Sequence, residues 1–301
     1  MTSGKRALTA IFVGLVAATL CYDLLKANES RGMTGDFRFS LDVARHLLAG
    51  TDPYSRPAEP DEAPYPLTAG LLALPFSPLP DPLPSAIFIG LSSALLAWFL
   101  AAPEPWRLLL LLSWPFLYAL MWVQWTPLMA CLWFLPVLMP LVLVKPHIAL
   151  PMLLTAKPDW RGVVITALLG ILSLLVSPGW PWIWLQRISG YSGIPPLFVL
   201  PLGPLLGLAL LRWRKRTAWL LVLMAAVPQR VVYDQLCLLL VASNWRELIF
   251  LVSLSWITVP ALIYFGGWTS LPGGWQIWIV TTLYIPALLV LLRSRKIDEP
   301  S

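Results

Sequence analysis

Charge is scarce in this chain. Only 12% of its 301 residues are Asp, Glu, Lys or Arg, about half of the ~25% usual in soluble domains. With 58% hydrophobic residues and a mean hydropathy of +0.75, that scarcity excludes a soluble globule and a disordered regulator. Cysteine is scarce too. Cys21, Cys131 and Cys237 lie far apart in apolar runs, without metal-ligand or disulfide spacing, which excludes a disulfide-stapled secreted domain. They read as small core residues. A Walker loop, a zinc motif, a nucleophile elbow and a Gly-rich dinucleotide turn are all missing, so no cofactor and no metal are expected. The net charge of +6 could suggest nucleic acid. In so apolar a chain the position of the basic residues matters more than their sum, and no nucleic-acid partner is expected.

What remains is a polytopic, all-α membrane protein, read as a single integral membrane domain over 1–301. Thirty prolines fit this class, because neighbouring membrane helices satisfy the carbonyls that proline frees. Seventeen tryptophans fit it as well; Trp180, Trp182 and Trp184 read as a membrane edge. Lys5 and Arg6 precede an apolar run as in a signal peptide, but no small-x-small cleavage site follows, so a retained first helix is expected. Apolar segments fall at 7–25, 66–77, 83–102, 107–122, 125–143, 146–156, 161–177, 196–212, 217–228, 231–243, 247–265 and 275–293. These predict about 10–12 transmembrane or half-membrane helices.

Orientation follows from lysine and arginine. With the N-terminus inside, Lys5, Arg6, Lys157, Arg161, Arg212, the Arg214–Arg216 cluster, Arg246 and the Arg293–Lys296 cluster fall on the cytoplasmic side, as the positive-inside bias requires. The remaining basic residues, Arg107 among them, then fall outside or near the outer surface. The parity also requires a turn at Pro228-Gln229-Arg230. Both termini are expected in the cytoplasm. The loop 26–65 is extracytoplasmic and mildly acidic, and 178–195 is the second extracytoplasmic loop. Within the first, Phe37, Leu41, Ala44, Leu47 and Leu48 recur at helical spacing up to Gly50, predicting an amphipathic helix over 37–49 along the outer membrane surface.

Ionisable groups are costly in or near a membrane and so are functional candidates. Asp36 leads them: its carboxylate could take a proton from a sugar hydroxyl, or it could simply cap the amphipathic helix. Asp42 lies roughly 240° around that helix and should pair with Arg38 or Arg45. Lys145, flanked by apolar runs, needs an anion, with a lipid phosphate the natural one; otherwise it snorkels at a helix end. His147 could reach the same phosphate or satisfy a carbonyl. Gln124 could bind sugar hydroxyls or bond between helices. Arg230 and Asp234 stand at i, i+4, either as an ion pair or as a phosphate-binding arginine held by Asp234. Arg187 could also meet an anionic headgroup.

Gly35-Asp36-Phe37, Ala44 to Gly50, Thr51-Asp52-Pro53-Tyr54 and Pro64-Tyr65-Pro66-Leu67 resemble the opening of glycosyltransferase family 87. Gln124, Lys145-Pro146 and Tyr233-Asp234 follow in the family's order, although Val123 stands where the family has glycine before the glutamine. The resemblance implies a GT-C fold and a mannosyltransferase that uses a polyprenyl-phosphate sugar in a bacterial inner membrane. Asp36 would be the catalytic base. Lys145, Arg230 and Arg187 would hold the donor phosphate, and Gln124, His147, Tyr54, Tyr65 and Asp234 would contact substrate. The partners implied are the polyprenyl-phosphate donor, a lipid or glycan acceptor, and membrane lipids. Two rivals stand beside it: a lipid or solute transporter, favoured by broken helices and buried Lys145, and a non-catalytic subunit or degenerate relative, favoured by the short chain.

Overall fold

Proline decides how each apolar segment folds. The ring removes a donor and clashes one turn back, so it suits the first turn of a helix and disrupts the interior. The computed structural model describes residues 1–28, 35–54, 65–157, 159–188, 193–228 and 232–294. It is built of helices: α1 Ser3–Ala27, α2 Phe37–Leu48, α3 Leu67–Ala73, α4 Leu83–Leu100, α5 Trp114–Met121, α6 Thr126–Ala130, α7 Pro146–Thr155, α8 Trp160–Val176, α9 Trp180–Ile188, α10 Arg216–Ala226, α11 Trp245–Ser255, α12 Thr258–Phe265, α13 Trp275–Ile279 and α14 Ile285–Arg293. Prolines open α5, α6 and α7, as well as the tighter 3-10 helices Pro105–Leu112, Pro136–Leu143 and Gly203–Arg212. The proline-poor segments remain long.

Among the described residues, four stretches are long and apolar enough to cross a membrane: α1, α4, Trp245–Phe265 and Trp275–Arg293. The pair α8–α9 makes a fifth if counted as one span bent by 97°. Five shorter apolar helices, Leu67–Phe76, Pro146–Thr155, Gly203–Arg212, Arg216–Ala226 and Val232–Val241, fill five of the remaining segments. Half of the segment expected as the second outer loop is therefore helical, since α9 occupies nine of residues 178–195. Here Trp182 faces outward, whereas Trp180 packs with Val43, Tyr54 and Leu67.

The backbone corrects the expected parity. α1 and α4 pack antiparallel through small residues: Gly14 lies against Gly90 and Ala94, and Gly90 against Ala18, the close approach that glycine permits between membrane helices. Arg6 donates to the Trp98 carbonyl at 3.1 Å and stacks on its ring. The start of α1 and the end of α4 thus share one end of the bundle. The segment expected to cross at 66–77 does not cross. It forms α3 and the short turn Leu74–Phe76, about 15 Å long by helical rise against roughly 30 Å of hydrocarbon. It packs on α2. The amphipathic helix α2 correspondingly buries Phe37, Leu41, Val43 and Ala44 against protein instead of laying that face on lipid.

Removing one crossing inverts every later segment up to the next correction, and Arg107 moves with them. It shares a cavity with Lys157 and Arg214–Arg216, not the outer surface where parity had put it. The elements after α4 then alternate between two ends. One end holds Arg107, Trp133, Lys157, Lys215, Ser243 and Ser294; the other joins Asp36, Gln124, Lys145 and Asp234. The chain does break after Ala226, as expected; Gln229 and Arg230 lie outside the described residues.

Candidate functional site

Asp36 is held in place by what flanks it. Phe37, fully buried, stacks on Phe88 at 4.0 Å between ring centroids and meets the edge of Trp125 at 5.6 Å. Gly35 takes φ +70, and a Cβ there would strike the Val123 side chain. The Asp36 amide donates to the Trp122 carbonyl at 2.8 Å, so the turn after α5 grips the start of α2. Val123 itself has φ 49, the one non-glycine with positive φ among the described residues. For a β-branched side chain this conformation is an outlier, costing about 1–3 kcal/mol where surrounding packing enforces it. The strained turn aims Gln124 back at Asp36.

The polar side chains form a line. Asp36 occupies the N-cap position of α2 but makes no capping bond, which removes the simpler explanation for that residue. Its Oδ2 instead accepts from Gln124 Nε2 at 2.5 Å. Gln124 Oε1 accepts from Lys145 Nζ at 2.8 Å, and the same ammonium donates to Asp234 Oδ1 at 3.1 Å. His147 Nε2 lies 3.3 Å from Asp234 Oδ2. The middle of this line is sealed: Gln124 and Asp234 are fully buried and Lys145 is 8% exposed. Its two ends, Asp36 and His147, are only half-buried. Lys145 therefore neither snorkels nor waits for a phosphate alone; its anion is Asp234. One carboxylate, Asp234, pairs with the lysine directly and the other, Asp36, is joined to it through Gln124, and the sequence distance between members, 88 residues from Asp36 to Gln124 and 89 from Lys145 to Asp234, makes the line a product of the fold.

An aromatic wall stands beside it. The Lys145 ammonium sits 4.8 Å from the Tyr233 ring centroid, a cation–π geometry. Tyr233 stacks on Tyr118 at 5.8 Å, and the Tyr118 hydroxyl accepts from Trp268 Nε1 at 3.0 Å. Tyr118 and Trp268 were absent from the expected site. The sequence held a signal for the first: Trp114, Tyr118 and Trp122 follow each other at i, i+4, one helix face. Trp268, 150 residues away from Tyr118, had none.

Tyr54, Tyr65 and Arg187 gather nearby as fasteners of the loop after α2. The Tyr54 hydroxyl donates to the Tyr65 carbonyl at 3.2 Å, and Tyr65 stacks on Phe39. Arg187 of α9 donates to the Tyr54 carbonyl at 2.7 Å and lies over its ring at 5.1 Å. Burial pushes the Tyr54 phenol above its ordinary value, with Arg187 opposing and Asp52 adding to the shift. On the exposed side of α2, Asp42 meets Arg38 at 3.5 Å and Arg45 at 3.8 Å, as the spacing predicted. Arg45 also makes a two-pronged pair with Asp81 at 3.0 and 3.1 Å, and that hydrogen bonding holds its guanidinium above the usual range. The expected phosphate contact Arg230, with its pairing to Asp234, lies outside the described residues. Among the described residues, no group of three or more His, Cys, Asp or Glu side chains could hold a metal ion. All three cysteines are buried thiols.

No protein family, no curated protein and no solved structure matches the chain. Any functional reading therefore stands on the geometry of the Asp36–His147 line and on the motifs around it. Chemically, such a line can orient a carboxylate and hold a buried positive charge beside it.

Proposed function

We propose that the protein is a membrane glycosyltransferase with a GT-C-type architecture. It transfers a hexose, mannose by its motif resemblance, from a polyprenyl-phosphate donor to an acceptor hydroxyl. One observation carries this reading: Asp36 leaves its cap vacant and is oriented by Gln124, which is itself fixed by buried Lys145. A structural carboxylate needs no such support, whereas a general base must be held toward its proton. Asp36 removes the acceptor proton as that oxygen attacks the anomeric carbon. The bond to the phosphate oxygen breaks on the opposite face, inverting configuration, and polyprenyl phosphate leaves. Lys145 provides the positive field nearest the developing charge, and Tyr233, stacked on Tyr118, backs that ammonium. By the positive-inside bias, the end that holds Arg107, Lys157 and Arg214–Arg216 faces the cytoplasm, together with both termini, and the Asp36 end faces outward.

The sealed middle of the line favours a second reading. A carboxylate, a lysine and a histidine joined between two accessible ends also describe a proton relay of a transporter. Mass spectrometry of membrane glycolipids and glycans separates the two, using cells with wild-type protein, Asp36→Asn, or none. Loss of one hexose-bearing species in both the deletion and a normally inserted Asp36→Asn variant is the expected result. A profile altered by deletion but untouched by Asp36→Asn would reject the base and favour transport.

A further inference from the structure

Most of α8 faces away from protein. Among its 17 residues only Gly162 and Ser173 are buried, and Leu168, Ile171 and Leu175 are more than half exposed. So apolar a helix meets lipid along that surface. It starts at the basic end of the bundle, where Gly162 packs against the Pro136 carbonyl, and finishes at the Asp36 end, where it packs on α3. Its length is about 25 Å by helical rise, against roughly 30 Å of hydrocarbon. α8 alone therefore uses up most of the bilayer core, and α9 begins near headgroup level.

The chain then turns sharply. Ser177 is extended, as the residue before a proline tends to be, and Trp180 Nε1 donates back to Ser173 Oγ at 3.1 Å, fixing the corner. α9 leaves at 97° to α8, a direction that runs along the bilayer plane rather than through it. Helical geometry divides its side chains: Trp180, Trp184 and Arg187 share one face, and Trp182, Leu185 and Gln186 the other. The inner face holds protein. Trp180 packs with Val43 of α2, with Tyr54 and with Leu67, and Arg187 donates to the Tyr54 carbonyl at 2.7 Å. The outer face is exposed, Trp182 by 72% and Leu185 by 45%. An indole beside a leucine suits the headgroup layer, where a ring finds an apolar medium and its N–H a polar one.

We propose that α9 is an interfacial helix whose Trp182–Leu185 face lies in the lipid headgroup layer at the Asp36 end, continuous with the lipid-facing surface of α8. The partner is the bilayer surface itself, engaged by apolar contact, since neither Trp182 nor Leu185 carries charge; a zwitterionic lipid is enough. Through Trp180 and Arg187 on its inner face, α9 ties the corner between α2 and α3 to that surface. This holds whether or not Asp36 acts as a base.

The test uses the full chain in phosphatidylcholine vesicles, with a nitroxide attached at Trp182→Cys or at Leu185→Cys. The three native cysteines are buried thiols, so the label goes to the introduced one. Power-saturation spin resonance compares collisions with oxygen, which enters lipid, and with a water-soluble nickel chelate. Leu168→Cys in the middle of α8 supplies the deep reference, and Arg38→Cys on the charged, exposed side of α2 the aqueous one. Both α9 labels should fall between the references, about 5–10 Å inside the headgroup boundary. Labels as accessible to nickel as Arg38→Cys would put this face in water, and labels as deep as Leu168→Cys would make α9 re-entrant. Labels shielded from both reagents would mean that protein, such as a second copy of the chain, covers the face. Any of these three results overturns the proposal.

Discussion

At one end of the bundle Lys145 meets Asp234 and Gln124; at the other, Arg107, Lys157 and Arg214–Arg216 meet one another around a cavity. Both ends bury lysine, Lys145 at 8% exposure and Lys215 at 4%, so burial alone does not distinguish them. Pairing does. The Asp36 end is matched internally: the ammonium has its carboxylate, and an amide transmits its position to Asp36. The basic end gathers five cations around one cavity, and the contacts described for Lys215 and Arg216 reach neutral oxygens of Ser294 and Trp133. A matched network fixes geometry, which is what chemistry at a carboxylate requires. The same residue types therefore do different work according to whether the fold pairs them with a carboxylate or gathers them among like charges.

Breaking the match should have the largest effect. Asp234→Asn leaves Lys145 charged without its carboxylate, and disrupting a buried pair from one side costs ~3–5 kcal/mol. Thermal unfolding of the purified protein should show a pronounced fall in Tm. Adding Lys145→Met should restore much of it, because it removes the buried charge that Asp234→Asn leaves without its carboxylate. If the single variant melts like wild type, the Lys145–Asp234 pair is not what holds this end.

The same comparison sharpens at Lys215. Lys215→Met removes two hydrogen bonds to Ser294 but also one of several like charges. The net loss should be about 1 kcal/mol, well below that of Asp234→Asn. Gly35→Ala falls between them: its Cβ would meet Val123 at a positive φ, a strain of about 1–3 kcal/mol. It should depress sugar transfer as well as stability, because it shifts Asp36. Pairing it with Val123→Gly should recover part of both losses; equal losses with and without Val123→Gly would show that the two residues do not touch.

How much of this was legible in the sequence depends on the range of the contact. The helix at 37–48, its stop at Gly50 and the Asp42 pairs were readable, because each arises within one or two turns. Asp36, Gln124, Lys145, His147 and Asp234 could be chosen singly, since polar groups are conspicuous in an apolar chain. Their assembly into one line could not, because three of its four links span 87–89 residues and the fourth spans 21. Topology failed at two points: segment 125–143 turns back after Trp133, which lies at the Arg107 end while Gln124 and Lys145 share the other, and segment 66–77 failed for a definite reason. Segment 66–77 is apolar enough to cross, but it is ten helical residues long and finds α2 to pack on. Arg107 was misplaced in consequence, and with it the basic cavity, which only the fold brings together.

The smallest expected effect belongs to the exposed strap of the Asp36 end. Arg45 of α2 grips Asp81, just before α4, with two hydrogen bonds at 3.0 and 3.1 Å. This two-pronged geometry is the best a surface pair can have, but the side chains are 35% and 56% exposed. Water and salt screen such charges, and exposed pairs contribute about 0.2–1 kcal/mol. Asp81→Asn should therefore lower stability by less than about 1 kcal/mol at low salt, and the difference from wild type should shrink toward zero near 1 M salt. Asp234→Asn, whose charge is sealed from solvent, should keep its deficit at the same salt concentration. If both variants lost their deficits together, the Lys145–Asp234 pair would be solvated, and the matched end would differ from the basic end in sign alone.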